Sequence, residues 1–243
     1  MSVVALVPAR GGSKRLPRKN LADCAGRPLL EWAARSALDA ARIDHALLST
    51  DDEEVAAAGR GFGLSVPFLR PPEIAADDTP MLPVMQHALA WAKDNLGPVE
   101  ALVLLQPTSP LRRAEHVDAA VEAFLASDAE SLVSVVEISH IHHPIVAYRI
   151  DSGRLVPYFP DPPSEGLPAY SRNGPAVLIN RPKVLERGER LGEPLIPYLM
   201  APEDSIDVDP PLDLEIAEFL LQRRARKERE TEDPRAERET EDR

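Results

Sequence analysis

The chain has 243 residues, a length that suits one α/β domain with at most a small appendage. It carries 28 Lys and Arg against 40 Asp and Glu, a formal net charge of −12, and only 5% of its residues are aromatic. These values argue against nucleic-acid binding through general electrostatics or through a platform of stacked aromatic side chains.

Three further features bear on the location of the protein. Apolar runs of about five residues are far too short to span a membrane. The first residues carry no basic side chain ahead of their short apolar run, unlike a secretory signal. The single cysteine, Cys24, excludes an internal disulfide framework. We therefore expect a soluble cytoplasmic protein that binds neither nucleic acid nor a membrane.

In the first half of the chain, short apolar runs alternate with amphipathic segments of helical length. The buried strands are predicted over 3–7, 45–49, 65–68, 101–105 and 131–136. The helices between them are predicted over 28–42, 53–60, 80–95 and 114–126. This alternation predicts a doubly wound, mostly parallel sheet in a Rossmann-like α/β fold.

The next part of the chain departs from this alternation. Residues 147–150 and 155–159 flank the short polar segment 151–154, a pattern that predicts a β-hairpin. A proline-rich loop follows over 160–168. We therefore expect residues 137–170 to form a small β excursion from the core, either a lid or a dimerisation arm.

After the excursion the chain returns to the core. Strands are predicted over 176–179 and 196–200, and a last helix begins near Pro211. The residues that follow are charged and almost without apolar side chains, which is typical of a solvated helix extension that frays. The sequence thus predicts one domain over 1–222 and a charged, disordered tail over 223–243.

Residues 8–20, directly after the first strand, combine positive charge with glycine. Two adjacent glycines and Ser13 allow backbone N–H groups to approach phosphate oxygens closely. Open α/β sheets place ligands at the carboxyl ends of their strands, so this loop is predicted to bind phosphate. It is neither a P-loop nor a GxGxxG loop, and the alternative is a solvated basic loop. Its cationic side chains are Arg10, Lys14, Arg15, Arg18 and Lys19.

A second polar loop follows the strand predicted over 101–105. Gln106, Thr108, Ser109 and Arg112 offer an amide, two hydroxyls and a guanidinium, and neighbouring prolines restrict their backbone. This set of donors and acceptors suits hydrogen bonding to a polyhydroxy compound. The alternative is an ordinary proline-rich turn.

Two carboxylates occur two residues apart near the end of the predicted domain. In an extended segment, Asp207 and Asp209 face the same side, where like charges repel unless a cation lies between them. A Mg²⁺ ion that also binds substrate phosphates is the natural partner of such a pair. The alternative is that Asp209 alone caps the helix that begins near Pro211.

Seven short motifs occur in order along the chain. Together they resemble the acylneuraminate cytidylyltransferases and their legionaminate and pseudaminate counterparts, over about residues 2–221. The resemblance implies that the protein activates a nine-carbon 2-keto sugar acid with CTP, giving the CMP-sugar and pyrophosphate. It also implies Mg²⁺ as the cofactor and a homodimeric assembly. The motifs are PARGGSKRLPRKN at 8–20, STDD at 49–52, RPPEIAADDT at 70–79, LLQPTSPLR at 104–112, HHP at 142–144, RNG at 172–174 and SIDVDPPLD at 205–213.

The resemblance also assigns roles to individual residues. Asp207 and Asp209 are implied as Mg²⁺ ligands and, with Arg10 and Lys14, as the catalytic groups. The implied nucleotide-binding residues, of which Arg70 and the backbone around Ala9 read the cytosine, are Ala9, Arg10, Ser13, Lys14, Lys19, Asn20 and Arg70. The implied sugar-binding residues are Gln106, Thr108, Ser109, Arg112, Arg172 and Asn173.

The part of the pattern implied to face the sugar departs from that of the sialic acid enzymes. Ile145, Val146 and Leu178 are apolar where relatives often have Lys or Tyr, which suits a deoxygenated sugar acid better than N-acetylneuraminate. Two alternative functions stay open. One is a Kdo-type cytidylyltransferase, and the other is a glycosyltransferase that binds a nucleotide sugar through an Asp-x-Asp motif.

Overall fold

The structure, a computed structural model, describes residues 1–13, 16–159 and 168–232. Its strands are β1 (Ser2–Pro8), β2 (Asp23–Cys24), β3 (Arg27–Pro28), β4 (His45–Ser49), β5 (Val99–Leu104), β6 (Ser131–Glu137), β7 (Tyr148–Asp151), β8 (Arg154–Pro157), β9 (Tyr170–Arg172), β10 (Leu178–Asn180) and β11 (Leu195–Leu199). Its α-helices are α1 (Leu29–Leu38), α2 (Glu53–Gly61), α3 (Met81–Leu96), α4 (Ala114–Leu125), α5 (Pro182–Glu186) and α6 (Pro211–Glu232).

The main sheet confirms the predicted fold class. Within the described residues it has seven strands, in the order β11-β6-β10-β5-β1-β4, with β9 paired on β6. β1 is parallel to both β4 and β5, and β11 is parallel to β6. β9 and β10 run antiparallel to their neighbours, which the alternation of strands and helices did not indicate.

Helices cover both faces of this sheet, as its continuous apolar strands require. Val3, Ala5 and Val7 of β1 pack on one side with α1 and α4, whereas Val4 and Leu6 pack on the other side with α3. The division follows from the period of two in a strand, which sends alternate side chains to opposite faces. Because both faces are covered, the loops at the carboxyl ends of the strands are where a ligand can meet the sheet.

The strand predicted over 65–68 is wrong. In the structure this segment contributes one bridge, between Leu47 and Ser65, rather than a strand. The proline two residues later, Pro67, has no N–H group to donate to a neighbouring strand. The pairing with β4 is therefore limited to Ser65, and no strand continues toward residue 68.

The helix predicted over 28–42 is shorter in the structure, because it ends at Leu38. The N–H groups of Ala41 and Arg42 donate to the carboxylate of Asp118, at 3.1 and 2.8 Å. A side chain 76 or more positions away thus satisfies backbone donors that a longer helix would have paired internally.

The predicted hairpin is confirmed. β7 and β8 pair antiparallel, from Tyr148 opposite Pro157 to Asp151 opposite Arg154. The proline-rich loop predicted over 160–168 lies outside the described residues except for Pro168.

The last helix extends further than the predicted domain. The boundary predicted at residue 222 falls inside α6, which continues to Glu232. Residues 233–243 of the predicted tail lie outside the described part of the chain. None of the helices within residues 1–13, 16–159 and 168–232 is both long and apolar enough to cross a membrane. The cytoplasmic location stays a prediction.

Candidate active site

The loops that follow β1 and β5 meet at a cavity of about 530 Å³. These two strands are adjacent in the sheet, so their carboxyl ends bring together the loop predicted to bind phosphate and the polar second loop. The structure therefore gathers predicted nucleotide, sugar and metal residues around one space. Those that line it are Arg10, Ser13, Lys19, Asn20, Arg70, Gln106, Thr108 and Asp209.

The first loop is held in place by contacts within the protein. The side-chain amide of Asn20 donates to the backbone oxygen of Arg10 at 2.8 Å, and the N–H of Gly11 donates to Asp51 at 3.1 Å. A Cβ atom on Gly11 would lie only 2.4 Å from Oδ2 of Asp52, the side chain that caps α2. Glycine is therefore required here to let the loop approach the start of α2.

Two cations of this loop contact carboxylates at the cavity. Nη1 of Arg10 lies 2.5 Å from Oδ1 of Asp77. Nζ of Lys19 lies 3.4 Å from Oδ1 of Asp209 and donates to the backbone oxygen of Val208 at 3.1 Å. The carboxylates hold both cations at the wall of the cavity, where phosphate oxygens could exchange with them.

Arg70 is buried against the end of β4. Its Nε and Nη2 atoms donate to the hydroxyl and the backbone oxygen of Ser49, at 3.1 and 2.7 Å. Burial lowers the pKa of the guanidinium, an effect that Asp51 opposes and Arg10 reinforces. The N–H of Ala9 is also committed to Ser49, whose backbone oxygen accepts it at 3.0 Å. Base recognition at Ala9 cannot therefore use its N–H group.

The second loop, 106–112, presents polar atoms toward the RNG motif and toward residues 204–209, here called the acidic segment. Gln106 donates to the backbone oxygen of Gly174 at 3.3 Å. The hydroxyls of Thr108 and Ser109 and Oδ1 of Asp207 are buried without a hydrogen-bond partner in the described part of the chain. Ser109 Oγ and Asp207 Oδ1 each lie 3.2 Å from the position of a Cβ on Gly174, so a side chain there would fill the space beside them.

Arg112 does not have the sugar-facing position predicted for it. It is 3% exposed, and it donates to the hydroxyl of Ser36 and to the backbone oxygens of Gln106 and Ala176 at 2.8–3.0 Å. Burial lowers the pKa of its guanidinium to about 9. The sugar-facing prediction fails because the guanidinium of Arg112 is committed to hydrogen bonds that join the second loop to the segment before β10.

Asn173 also differs from its predicted role. It is 4% exposed, its oxygen accepts from Ser134 at 2.6 Å, and its amide nitrogen donates to Ser205 at 3.1 Å. These bonds use both ends of the amide, so Asn173 positions the loop rather than facing a sugar. Leu178 lies fully buried in the core, so its apolar character reflects packing.

Of the other predicted residues that the structure describes, Ala9, Ser109, Arg172 and Asp207 do not line the cavity. Arg172 lies exposed on β9, which pairs with β6, and does not line it. Lys14, predicted for both catalysis and nucleotide binding, lies outside the described residues.

The acidic segment fits a Mg²⁺ ion shared with substrate phosphates. Asp209 lines the cavity, Asp207 has a buried carboxylate oxygen without a hydrogen bond in the described chain, and Val208 between them is buried in the core. Among the described residues, no group of three or more His, Cys, Asp or Glu side chains could hold a metal. Two carboxylates with substrate oxygens match the usual coordination of Mg²⁺ better than that of a metal enclosed by protein ligands.

The sequence reasoning assigned no role to several residues of the RPPEIAADDT motif that line the cavity. Asp77 and Asp78 bring negative charge close to the cationic loop, and Val84 adds an apolar surface from α3. The motif itself was the available signal, because it contains Arg70. The cavity-lining residues without an assigned role are Pro8, Ala76, Asp77, Asp78, Thr79, Met81, Val84 and Pro107.

Solved structures share this architecture. The chain superimposes with a TM-score of 0.70 on CMP:2-keto-3-deoxy-manno-octonic acid synthetase complexed with CTP, at 20% identity, covering 92% of this chain and 100% of that one. The TM-score with a 4-diphosphocytidyl-2C-methyl-D-erythritol synthase is 0.62, at 12% identity and 90% coverage of this chain. The chain thus shares its fold with these two synthases.

Sequence comparison gives the family. Residues 4–163 match the family model described as Cytidylyltransferase. The chain belongs to the cytidylyltransferase family.

Curated relatives fall within the group that the sequence motifs resemble. The chain is 33% identical over 228 residues to the CMP-N,N'-diacetyllegionaminic acid synthase of Legionella pneumophila, covering 91% of this chain and 97% of that protein. It is 29% identical over 229 residues to the N-acylneuraminate cytidylyltransferase of Escherichia coli, covering 92% of this chain and 53% of that protein. A pseudaminic acid cytidylyltransferase of Campylobacter jejuni is 26% identical over 226 residues, covering 90% of this chain and 96% of that protein. The resemblance to acylneuraminate-type cytidylyltransferases is confirmed.

Proposed function

We propose that the protein transfers the cytidylyl group of CTP to the anomeric hydroxyl of a nonulosonic acid. The observation that carries this proposal is that one cavity is lined by two kinds of side chain. Its cations are Arg10, Lys19 and Arg70, and its uncharged polar groups include Gln106 and Thr108. The cations suit a triphosphate, and the amide and hydroxyl suit a polyhydroxy acid. Three curated relatives are named for activation of nonulosonic acids, which supports the same substrate class.

In this reaction the anomeric oxygen forms a bond to the α-phosphorus of CTP. The bond between that phosphorus and the pyrophosphate oxygen breaks, and the hydroxyl proton is released. The protein contributes mainly position and charge, because phosphoryl-type transfer needs little covalent chemistry from side chains. Arg10 and Lys19 at the cavity wall would bind phosphate oxygens in place of their present carboxylate partners.

We propose Mg²⁺ as the cofactor, with Asp207 and Asp209 as its protein ligands. When bound, the ion supplies neutralisation of phosphate charge and orientation of the leaving group. On binding, Asp209 would exchange its contact with Lys19 for the ion, while Lys19 turns to the phosphate oxygens. Asp207 would gain a partner for its buried oxygen.

The preferred sugar acid is proposed to be a deoxygenated one, of the legionaminate or pseudaminate type. Ile145 and Val146 are half-buried in a 3₁₀ turn of the predicted excursion. In this proposal the two apolar side chains face the tail of the sugar acid, where they would leave the hydroxyls of N-acetylneuraminate without partners, at a cost of roughly 1–3 kcal/mol per group. The likeness to a legionaminic acid synthase supports this preference.

We further propose a homodimer in which β7 and β8 pack on a second copy of the chain. A two-stranded hairpin is marginal without a partner surface. Ile150 and Leu155 are directly opposite each other in the hairpin and are 78% and 70% exposed. Tyr148 and Tyr158 extend the same exposed apolar arm. Burying these side chains against a second copy would remove them from water.

Steady-state kinetics with a panel of acceptors would test the proposed substrate. The panel would contain N,N'-diacetyllegionaminate, pseudaminate, N-acetylneuraminate and Kdo, each with CTP and Mg²⁺. We expect kcat/KM to be highest for legionaminate or pseudaminate, at least tenfold above N-acetylneuraminate and higher still above Kdo. A preference for N-acetylneuraminate would overturn the deoxygenated sugar, and a preference for Kdo would overturn the nonulosonic class.

A further inference from the structure

Arg224 lies on the face of α6 that packs on the domain, although the sequence places it in a charged tail. Ala217 and Leu221, on the same helix face, belong to a buried cluster with Leu111 and Val208. Arg224 follows Leu221 by three residues, so it continues that face by almost one turn. Its side chain is 23% exposed, whereas its neighbour Arg223 is exposed.

The guanidinium of Arg224 joins the two loops that carry the predicted chemistry. Its Nη2 atom donates to the backbone oxygen of Leu111 at 3.2 Å and to Oδ1 of Asp204 at 2.5 Å. Leu111 belongs to the second loop, and Asp204 is the first residue of the acidic segment 204–209, which contains Asp207 and Asp209. One side chain thus bridges both segments.

A second contact joins the same two segments closer to the cavity. The N–H of Val208 donates to the backbone oxygen of Thr108 at 2.7 Å. Val208 lies between the two carboxylates proposed to bind Mg²⁺, and Thr108 lines the cavity. If Asp204 moved relative to Leu111, the acidic segment would move relative to the second loop. The positions of the proposed metal ligands and of Thr108 would then change together.

We infer that Arg224 is a positioning residue for cytidylyl transfer, because it fixes the acidic segment 204–209 against the second loop, 106–112. The inference rests on the proposed function of these two segments. The part of α6 that follows residue 222 then contributes to catalysis, although the sequence predicted a disordered tail there. It also assigns a role in the reaction to a side chain that does not line the cavity.

The test compares Arg224→Gln and Arg224→Lys with Arg223→Gln, an exposed neighbour whose side chain has no hydrogen bond or ion pair within the described residues. A chain ending at residue 228 is a second control, because it keeps Arg224. Each protein is assayed for kcat, for KM of CTP and of the sugar acid, and for the half-saturating concentration of Mg²⁺. The assays are run well below each melting temperature.

For Arg224→Gln we expect kcat to fall by about 10- to 100-fold and the half-saturating Mg²⁺ concentration to rise. KM for CTP should change less, since the cations at the cavity are untouched. Arg224→Lys should recover part of kcat, because the ammonium keeps a positive charge beside Asp204, although the shorter side chain does not carry its nitrogen as far as Nη2 of Arg224. Both controls should match the unmodified protein.

Two outcomes would overturn the role of Arg224. One is an unchanged kcat and Mg²⁺ requirement in Arg224→Gln. The other is a lowered melting temperature with both quantities normal in the folded protein, which would make the residue merely structural. If Arg224→Gln does not fold, the comparison is made on Arg224→Lys and on the double variant Asp204→Asn with Arg224→Gln. An unmodified protein that makes no CMP-sugar would instead contradict the proposed function.

Discussion

The guanidinium of Arg10 lies 2.5 Å from the carboxylate of Asp77, and both side chains line the cavity. The two side chains are 32% and 40% exposed, so their attraction is screened by water. Arg10 is proposed to bind phosphate, and Asp77 therefore competes for it. Binding of CTP would exchange one anionic partner for another.

Replacing Asp77 with Asn should strengthen CTP binding by about two- to fivefold, because a partly exposed ion pair is worth about 0–1 kcal/mol. Titration calorimetry with CTP in the absence of a sugar acid would measure the dissociation constant. Asp94→Asn, an exposed acid on α3, is the matched control for the change in net charge. Weaker binding by the Asp77 variant would show that this carboxylate helps to hold the nucleotide.

Asp207→Asn and Asp209→Asn should each lower kcat by about 10²–10⁴-fold, as expected when one preorganised charged group is lost. Asp207→Asn should not lower the melting temperature, because the buried carboxylate oxygen has no hydrogen bond to lose in the described chain. Initial rates over a Mg²⁺ titration, with Glu215→Gln as the control, would measure the effect. A variant that keeps near-full turnover at low Mg²⁺ would remove its residue from the proposed metal site.

Arg112→Gln should destabilise the fold by about 3–5 kcal/mol, because it leaves the oxygens of Ser36, Gln106 and Ala176 without their charged donor. Urea unfolding would give the change, and Arg113→Gln on the more exposed neighbour is the comparison. A selective rise in KM for the sugar acid, with unchanged stability, would restore the sugar-facing role predicted from the sequence.

The unfolding free energy should fall as the pH drops below the ordinary pKa of histidine. Burial lowers the pKa of His116, and Arg113 and Arg224 reinforce this while Asp204 and Glu115 oppose it. Below pH 6.5 the unfolded chain thus binds more protons than the folded one at this position, so the stabilisation present above that pH is lost.

Unfolding free energies from about pH 8 to about pH 5 would test this effect of His116. His116→Gln should lose less stability over that range than the unmodified protein. His140→Gln, at an exposed histidine of the excursion, should behave like the unmodified protein. Identical pH slopes for all three proteins would contradict the assignment.

Ile150→Asp should convert the proposed dimer to a monomer, because it would bury a charge in the interface formed by the hairpin. Arg149 lies next in the strand and faces the opposite side, so Arg149→Ser is the control. Light scattering at micromolar protein concentration would give the masses. A monomeric unmodified protein with full activity would dismiss the dimer.

The sequence was sufficient to bring most of the residues proposed to bind phosphate to one cavity, because its signals there are local. Arg10, Lys19 and Asn20 follow directly after a buried strand, and the fold brings strand ends to one edge of the sheet. Gln106 reaches the same cavity for the same reason. These positions depend on chain order and on the strand alternation, both of which are readable without a structure.

Other assignments depended on partners that are distant in sequence. Arg112 is held by Ser36, 76 positions away, and Asn173 by Ser134, 39 positions away. A buried guanidinium or amide that braces loops has the same residue type as one that binds a sugar, so composition alone cannot separate the two. Arg224 was missed because its charged neighbours indicated a solvated tail.

Product analysis by mass spectrometry tests the central claim most directly. The unmodified protein is incubated with CTP, Mg²⁺ and N,N'-diacetyllegionaminate, with UTP and ATP in parallel reactions. The proposed function predicts a CMP-linked sugar acid and an equal amount of pyrophosphate from CTP, with little product from UTP or ATP. Absence of any CMP-linked product with this acid, pseudaminate and N-acetylneuraminate, from protein shown to be folded, would contradict the proposed function.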